Sequence, residues 1–263
     1  MRIALAQIDV AWENKEMTKK ICTKFIKKAS KNGVDLIAFP EMTLTGFSMN
    51  VSKIGEDKLE TVEWFKKKSL EFNVHCAFGF IEKLKNGKGI NNLSICSPVN
   101  GEILRYSKIH PFSYGEEDKY YVSGNALKYC NIDNFNCATF ICYDLRFPEI
   151  FQLAGKKADI IIIIANWPES RRGHWITLLK ARAIETQCYI AAVNRVGIGN
   201  GLYYSGDSMV VDPYGKVVVT EKDNEKLLIC DLDINIVKMC RNEFKFKQDR
   251  KEDLYYNFVK NNF

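Results

Sequence analysis

The sequence predicts an α/β fold in which helices cover the faces of mixed β-sheets. Three observations predict it. Short apolar runs of strand length alternate with longer stretches whose apolar residues recur at helical spacing. The runs 137–141 and 159–165 read as strands buried on both faces. A hairpin and a series of closely spaced late strands argue for mixed sheets rather than a doubly wound parallel one.

The elements follow in order. Ile3 to Gln7 is a short strand entered directly from the first residues, with no signal-like apolar leader. Glu16 to Lys31 has an amphipathic helical pattern that stops at Gly33. Val34 to Phe39 is a second apolar strand, ended by Pro40-Glu41. Glu56 to Phe72 reads as a helix and Val74 to Ile81 as the strand after it. Asn91 to Ser97 and Ile103 to Ser107 form a hairpin around Asn100-Gly101, a dipeptide suited to the positive φ of tight turns. Cys137 to Ile141 is a strand, and Pro148-Glu149 opens a helix, where proline loses no hydrogen bond and an acid suits the dipole. Asp159 to Ala165 is a strand and Gly173 to Cys188 a helix. Tyr189 to Asn194, Ser208 to Val211 and Lys226 to Asp231 are the last strands, with a turn at Pro213-Tyr214-Gly215. No linker, repeat or low-complexity stretch interrupts them, so residues 1–263 read as one domain.

Composition narrows the function classes. At 46% hydrophobic and 27% charged, the chain is an ordinary globular protein. Its net charge of +6 comes from 38 basic and 32 acidic residues scattered along the chain. The clusters Lys27-Lys28 and Lys66-Lys67-Lys68 lie on helical stretches and read as solvated faces. No basic stripe interleaved with aromatics points to nucleic acid, and no apolar run approaches membrane-spanning length. Nine cysteines, odd in number and without CxxC spacing, fit neither a disulfide framework nor a zinc site. Cytoplasmic localisation is the expectation.

Cys142 is the most informative residue. It ends the strand 137–141 and stands ahead of the helix opened by Pro148, on a strand-to-helix turn. A helix N-terminus lowers a thiol pKa and offers N–H groups to an oxyanion. The bland alternative is a small buried hydrophobe. The usual activator is histidine, and the chain has His75, His110 and His174. A pair with His110 stays open, although nothing in the spacing selects it. Glu41 and Lys108 are better placed. Glu41, Lys108 and Cys142 each follow a strand end, the edge where α/β sheets gather their sites. A glutamate beside a thiol can take its proton, and a lysine can stabilise thiolate and oxyanion. The bland alternatives are a helix-proximal glutamate and a solvated lysine.

These residues carry a resemblance. Phe39-Pro40-Glu41, Lys108-Ile109-His110 and Cys142-Tyr143-Asp144-Leu145-Arg146-Phe147-Pro148 closely resemble the motifs of the nitrilase superfamily of carbon–nitrogen hydrolases. Glu41 to Phe47, Ala165 to Pro168, Ala181 to Gln187, Asn194 to Gly197 and Gly206 to Ser208 match in the same order. The resemblance implies a four-layer α-β-β-α sandwich. It implies Glu41 as general base, Lys108 as oxyanion stabiliser and Cys142 as nucleophile, with the Tyr143 N–H as a second oxyanion donor. No metal or organic cofactor is implied. A second active-site glutamate matches Glu117 by its spacing before Ser123-Gly124-Asn125, with Glu116 as the neighbouring alternative. Family members form dimers or higher assemblies. Here the helices Pro148 to Ala154 and Gly173 to Cys188, with a tail of about residues 240–263, would serve a homodimer. Lys245 stands where the family's tail motif commonly has proline.

Among the branches, the stretches 142–148, 165–168 and 194–197 are most similar to the omega-amidase group, which hydrolyses the terminal amide of 2-oxoglutaramate or 2-oxosuccinamate. A small-molecule substrate with a carboxylate calls for an arginine. Arg146, Arg171, Arg172 and Arg195 are the candidates, with Asn166 beside them and Phe47 and Trp167 as apolar walls. Arg146 has a structural alternative as ion-pair partner of Asp144 or Glu149. The functional alternatives are another reaction of the superfamily, on an N-carbamoyl amide, aliphatic amide or nitrile, or a catalytically silent scaffold.

Overall fold

The computed structural model describes residues 1–262. Two mixed sheets face one another, and helices cover both outer faces. The first sheet has the order β13-β1-β2-β3-β4-β5. Its strands are β1 (Arg2–Gln7), β2 (Leu36–Ala38), β3 (His75–Lys83), β4 (Gly89–Ser97), β5 (Gly101–Ser107) and β13 (Lys226–Asp231). The second has the order β10-β11-β9-β8-β7-β6, with β12 paired to β11. Its strands are β6 (Tyr129–Ile132), β7 (Phe135–Ile141), β8 (Ile160–Ala165), β9 (Tyr189–Asn194), β10 (Val196–Gly199), β11 (Leu202–Val211) and β12 (Val217–Lys222). β1, β2 and β3 run parallel, as do β7, β8 and β9, and the remaining ladders are antiparallel.

Helices α1 (Lys15–Lys31) and α3 (Glu60–Phe72) cover the first sheet, with α2 (Val51–Ile54) a single turn between them. Phe65 of α3 stacks on Phe78 of β3 with ring centroids 3.9 Å apart. Full burial of such a ring stabilises by about 2 kcal/mol. Helices α5 (Pro148–Ala154) and α6 (Arg172–Thr186) cover the second sheet through Phe151, Trp175, Leu179 and Ala183. Between the sheets, Ile3, Leu5, Leu36 and Ala38 share one core with the Ile160–Ile164 run and Ile190. The expected four-layer arrangement is the one observed. No helix among the described residues is long and apolar enough to cross a membrane.

The differences from the sequence reading have local causes. The helix expected from Glu56 starts at Glu60, because Glu56 is spent elsewhere. Its carboxylate accepts the Thr61 N–H at 2.8 Å and binds Lys15 Nζ at 2.6 Å, capping α3 from outside. Strands β6, β10 and β12 escaped the reading. β12 alternates half-buried and exposed positions, so its apolar triplet Val217-Val218-Val219 carries no buried face of its own. Helices α4 (Glu117–Tyr120), α7 (Ile234–Glu243) and α8 (Glu252–Asn262) complete the chain. Phe263, the last residue of the expected tail, lies outside the described residues. The tail crosses the ends of α5 and α6, where Lys247 Nζ donates to the carbonyls of Gly155 and Thr186. Arg250 reaches Gln152 Oε1 at 3.1 Å.

Candidate active site

The carboxyl ends of β2 and β5 in one sheet and of β7 and β8 in the other meet at one end of the sandwich, and each delivers a side chain. Past β2 the chain turns inward against β3. The Thr43 N–H donates to Gly79 O at 3.0 Å, and the Gly79 N–H returns a bond to Thr43 Oγ1 at 2.9 Å. A Cβ on Gly79 would stand 2.3 Å from the Met42 nitrogen, so this approach of two backbones requires glycine. Glu41 is thereby held fully buried over the sheet edge.

Lys108 follows β5, and its Nζ bridges Glu41 Oε1 at 2.9 Å and Glu117 Oε2 at 2.8 Å. Asn91 of β4 closes the ring, its Nδ2 donating to Glu41 Oε1 at 2.8 Å and Glu117 Oε1 at 2.9 Å. The Phe112 N–H holds Glu117 Oε2 at 2.6 Å. Glu116 points outward and pairs with Lys119, so Glu117 is the glutamate in the site. Asn91 went unnoticed in the sequence. The available signal was an asparagine pair inside an otherwise apolar strand, a setting that disfavours the residue.

Cys142 sits at the end of β7 with φ +46°, in the left-handed region that costs a non-glycine residue about 1–3 kcal/mol. A 3₁₀ turn occupies Cys142–Arg146, and α5 begins at Pro148, where the sequence places the start of a helix. The expected lowering of the thiol pKa is reversed. Although the residue as a whole is only partly buried, its thiol is enclosed, and burial pushes its pKa well above the usual range. The Glu41 carboxylate adds to the rise, while Lys108 and the Asn166 N–H work against it. The carboxylate that acts most strongly on the thiol is that of Glu41.

Burial alone would depress the Lys108 ammonium, but the carboxylates of Glu117 and Glu41 outweigh it and hold its pKa above the ordinary value. Glu117 is raised, by burial first and by Glu41 as well, against the pull of Lys108. One cation shared between two buried carboxylates leaves Glu117 harder to ionise than a free glutamate.

Asn166, just past β8, is turned toward Glu41. Its N–H donates to Glu41 Oε2 at 3.0 Å and its Nδ2 to Glu41 O at 2.6 Å, which leaves its Oδ1 without a partner among the described residues. Phe47, Tyr143 and Trp167 are walls of the cleft above the thiol, joined by Phe112 and Tyr204, which the sequence reading did not select. The cleft encloses about 420 Å³ of space, solvent at its mouth included.

The four arginines separate. Arg146 and Arg171 line the cleft, the first over the Trp167 ring at 4.6 Å, the second over Phe112 at 5.4 Å. Arg146 has no carboxylate partner among the described residues, and its hydrogen-bond contact is His174 Nδ1 at 3.4 Å, so the ion pair with Asp144 or Glu149 does not form. Arg172 is paired to Asp207 at 2.7 and 2.8 Å. Arg195, expected at the substrate, stands apart from the cleft lining. Its guanidinium is buried against Asp9 Oδ1 at 2.7 Å and the carbonyls of Val10, Val196 and Ile198. That environment ties β10 to the segment after β1, and Nη1 is the one guanidinium nitrogen left without a partner among the described residues. His110 does not face the thiol as a base: its Nδ1 lies 2.8 Å from Asp144 Oδ1, and its ring stacks on Phe147.

Comparison with known proteins agrees with this geometry. A 2-oxoglutaramate amidase of Bacillus subtilis (strain 168) is 32% identical over 96% of this chain and 98% of its own length. The omega-amidase YafV of Escherichia coli (strain K12) is 33% identical over 84% of this chain and 86% of its own. A carbon–nitrogen hydrolase superfamily protein of Xanthomonas campestris, solved with an arsenic adduct in its active site, superposes with a TM-score of 0.89. It is 28% identical, over 95% of this chain and 97% of that one. The family model for carbon–nitrogen hydrolases matches residues 2–242, and the chain belongs to that family.

Proposed function

We propose that the protein is a cysteine-dependent amidase that hydrolyses the terminal amide of a small 2-oxo dicarboxylate monoamide, 2-oxoglutaramate or 2-oxosuccinamate, to the acid and ammonia. The observation that carries the substrate reading is the pair Arg146 and Arg171 beside the enclosed thiol, Arg146 with no carboxylate of its own. Burial, with the repulsion of the Arg171 guanidinium behind it, holds the Arg146 pKa below its ordinary value. An incoming carboxylate relieves that repulsion and takes a bidentate grip. The relatives named 2-oxoglutaramate amidase and omega-amidase support the same reading.

In the proposed reaction Cys142 Sγ forms a bond to the amide carbon as its proton passes to Glu41. The carbonyl electron pair moves onto oxygen, where Lys108 Nζ and the Tyr143 N–H stabilise it. Collapse returns the pair, Glu41 protonates the nitrogen, and ammonia leaves a thioester on Cys142. Water then gives a proton to Glu41 and attacks the thioester carbon. The C–S bond breaks, the sulfur regains its proton, and the carboxylic acid departs. Glu117 and Asn91 keep Glu41 and Lys108 in register, and no metal or organic cofactor enters.

Changing Arg146 or Arg171 to Ala is expected to raise KM for 2-oxoglutaramate about tenfold or more, the worth of one charge-assisted hydrogen bond. KM for a neutral aliphatic amide should stay within about twofold. Steady-state kinetics on both substrates checks this, and equal changes for the two amides would remove the carboxylate from the account.

The same reading includes a homodimer in the cytoplasm. Leu153 of α5, Ile184 of α6 and Tyr256 and Val259 of α8 are apolar and exposed on neighbouring helices, which supports an isologous contact there. Sedimentation velocity should give twice the chain mass of 30.3 kDa, and Val259→Glu should shift it toward the monomer. A monomeric wild type would contradict the dimer without touching the chemistry.

A further inference from the structure

Asp144, two residues past the nucleophile, is fully buried and lies outside the cleft lining. No arginine or lysine pairs with it among the described residues; donors from two separate segments converge on it instead. Oδ2 accepts the Tyr106 hydroxyl at 2.8 Å and the Ile141 N–H at 3.1 Å. Oδ1 accepts the His110 N–H at 3.0 Å and faces His110 Nδ1 at 2.8 Å. Tyr106 and His110 stand two residues before and two after Lys108. Ile141 immediately precedes Cys142, and the Asp144 carbonyl accepts the Phe147 N–H at 3.0 Å. The His110 ring then stacks on Phe147 with centroids 3.7 Å apart, closing the loop between the two segments. Lys108 comes from one sheet and Cys142 from the other, so their separation is not fixed by any ladder of backbone bonds.

We propose that Asp144 is a positioning residue for the reaction: by binding Tyr106, His110 and Ile141 it sets Lys108 Nζ at the height where the oxyanion forms over Cys142. The inference rests on the amidase reading above. Burial and the Asp144 charge hold the Tyr106 hydroxyl protonated, which keeps it a donor at working pH. The four bonds satisfy a buried carboxylate without drawing on a lysine or arginine, so Lys108 remains a positive charge facing the site. Misplacement by about 1 Å costs roughly 10²-fold in rate.

The test uses three variants of the full-length protein. Asp144→Asn keeps the volume and removes half the acceptor capacity, His110→Phe keeps the stack and removes Nδ1, and Tyr106→Phe removes only the hydroxyl. Asp144→Asn should lower kcat for amide hydrolysis by about 10²-fold, and the milder pair by about tenfold, with KM within about threefold. Alkylation of Cys142 by iodoacetamide, which forms no oxyanion, should change less than about threefold in all of them. In a Lys108→Met background the same substitutions should cost little further, because they act through that lysine. If Asp144→Asn fails to fold, the other two decide. Unchanged kcat in folded His110→Phe and Tyr106→Phe overturns the proposal. So does a fall in which turnover, alkylation and melting temperature drop together. A wild type without Cys142-dependent turnover overturns the amidase reading instead.

Discussion

Cys142→Ala is expected to fold like the wild type and to lose amide turnover by about five orders of magnitude or more, the usual cost of removing a covalent nucleophile. Two facts separate these outcomes. Cys142 packs at the margin of the core between the sheets, so losing one sulfur removes little of it, and the left-handed turn at φ +46° is a backbone feature that the substitution leaves in place. Alanine tolerates that turn about as well as cysteine, so the change in stability should stay within ~1 kcal/mol. Without sulfur, the remaining groups can polarise an amide but cannot split its hydrolysis into acylation and deacylation. Thermal denaturation and ammonia release from the same preparation check both halves. Substantial residual turnover in the folded variant would remove Cys142 from the mechanism.

Glu41→Gln should have the second largest effect, a fall of about 10³-fold in kcat, and it carries a signed consequence for the thiol. The substitution keeps the shape and leaves Oε1 to accept from Lys108 and Asn91. It removes the charge that, after burial, does most to raise the pKa of Cys142. The thiol should therefore titrate at lower pH in Glu41→Gln than in the wild type while turnover is lost. Thiolate absorbance, taken as the difference against the matching Cys142→Ala protein, reads this directly. A more acidic thiol with less catalysis identifies Glu41 as the proton acceptor. A thiol titrating higher, or turnover retained, would contradict that role.

Groups that end strands were the legible part of the site. Glu41, Lys108 and Cys142 each follow a run whose apolar character fixes its burial, and the sheet edge then brings them together. Long-range pairings were not legible. Arg195 looks free in sequence, yet its partner Asp9 lies 186 positions away on the other side of the chain. Arg146 sits beside two acidic neighbours in sequence and pairs with neither, because its 3₁₀ turn aims it across Trp167. The direction of the thiol pKa failed for a related reason. Proximity to a helix start is readable, whereas enclosure by three other strand ends and a nearby carboxylate is a tertiary property. In the fold, strong apolar periodicity located most elements, while β6, β10 and β12 carry too little buried surface to announce themselves. The start of α3 was misjudged because the capping carboxylate of Glu56 reads like the first turn of the helix it caps.

The most direct test of the central claim is ammonia release from 2-oxoglutaramate, glutamine, a neutral aliphatic amide, an N-carbamoyl amino acid and a simple nitrile, with wild type and Cys142→Ala side by side. The account predicts release strongest from 2-oxoglutaramate and abolished in the variant. Release confined to another member of the panel would contradict the substrate, and release that survives Cys142→Ala would contradict the chemistry.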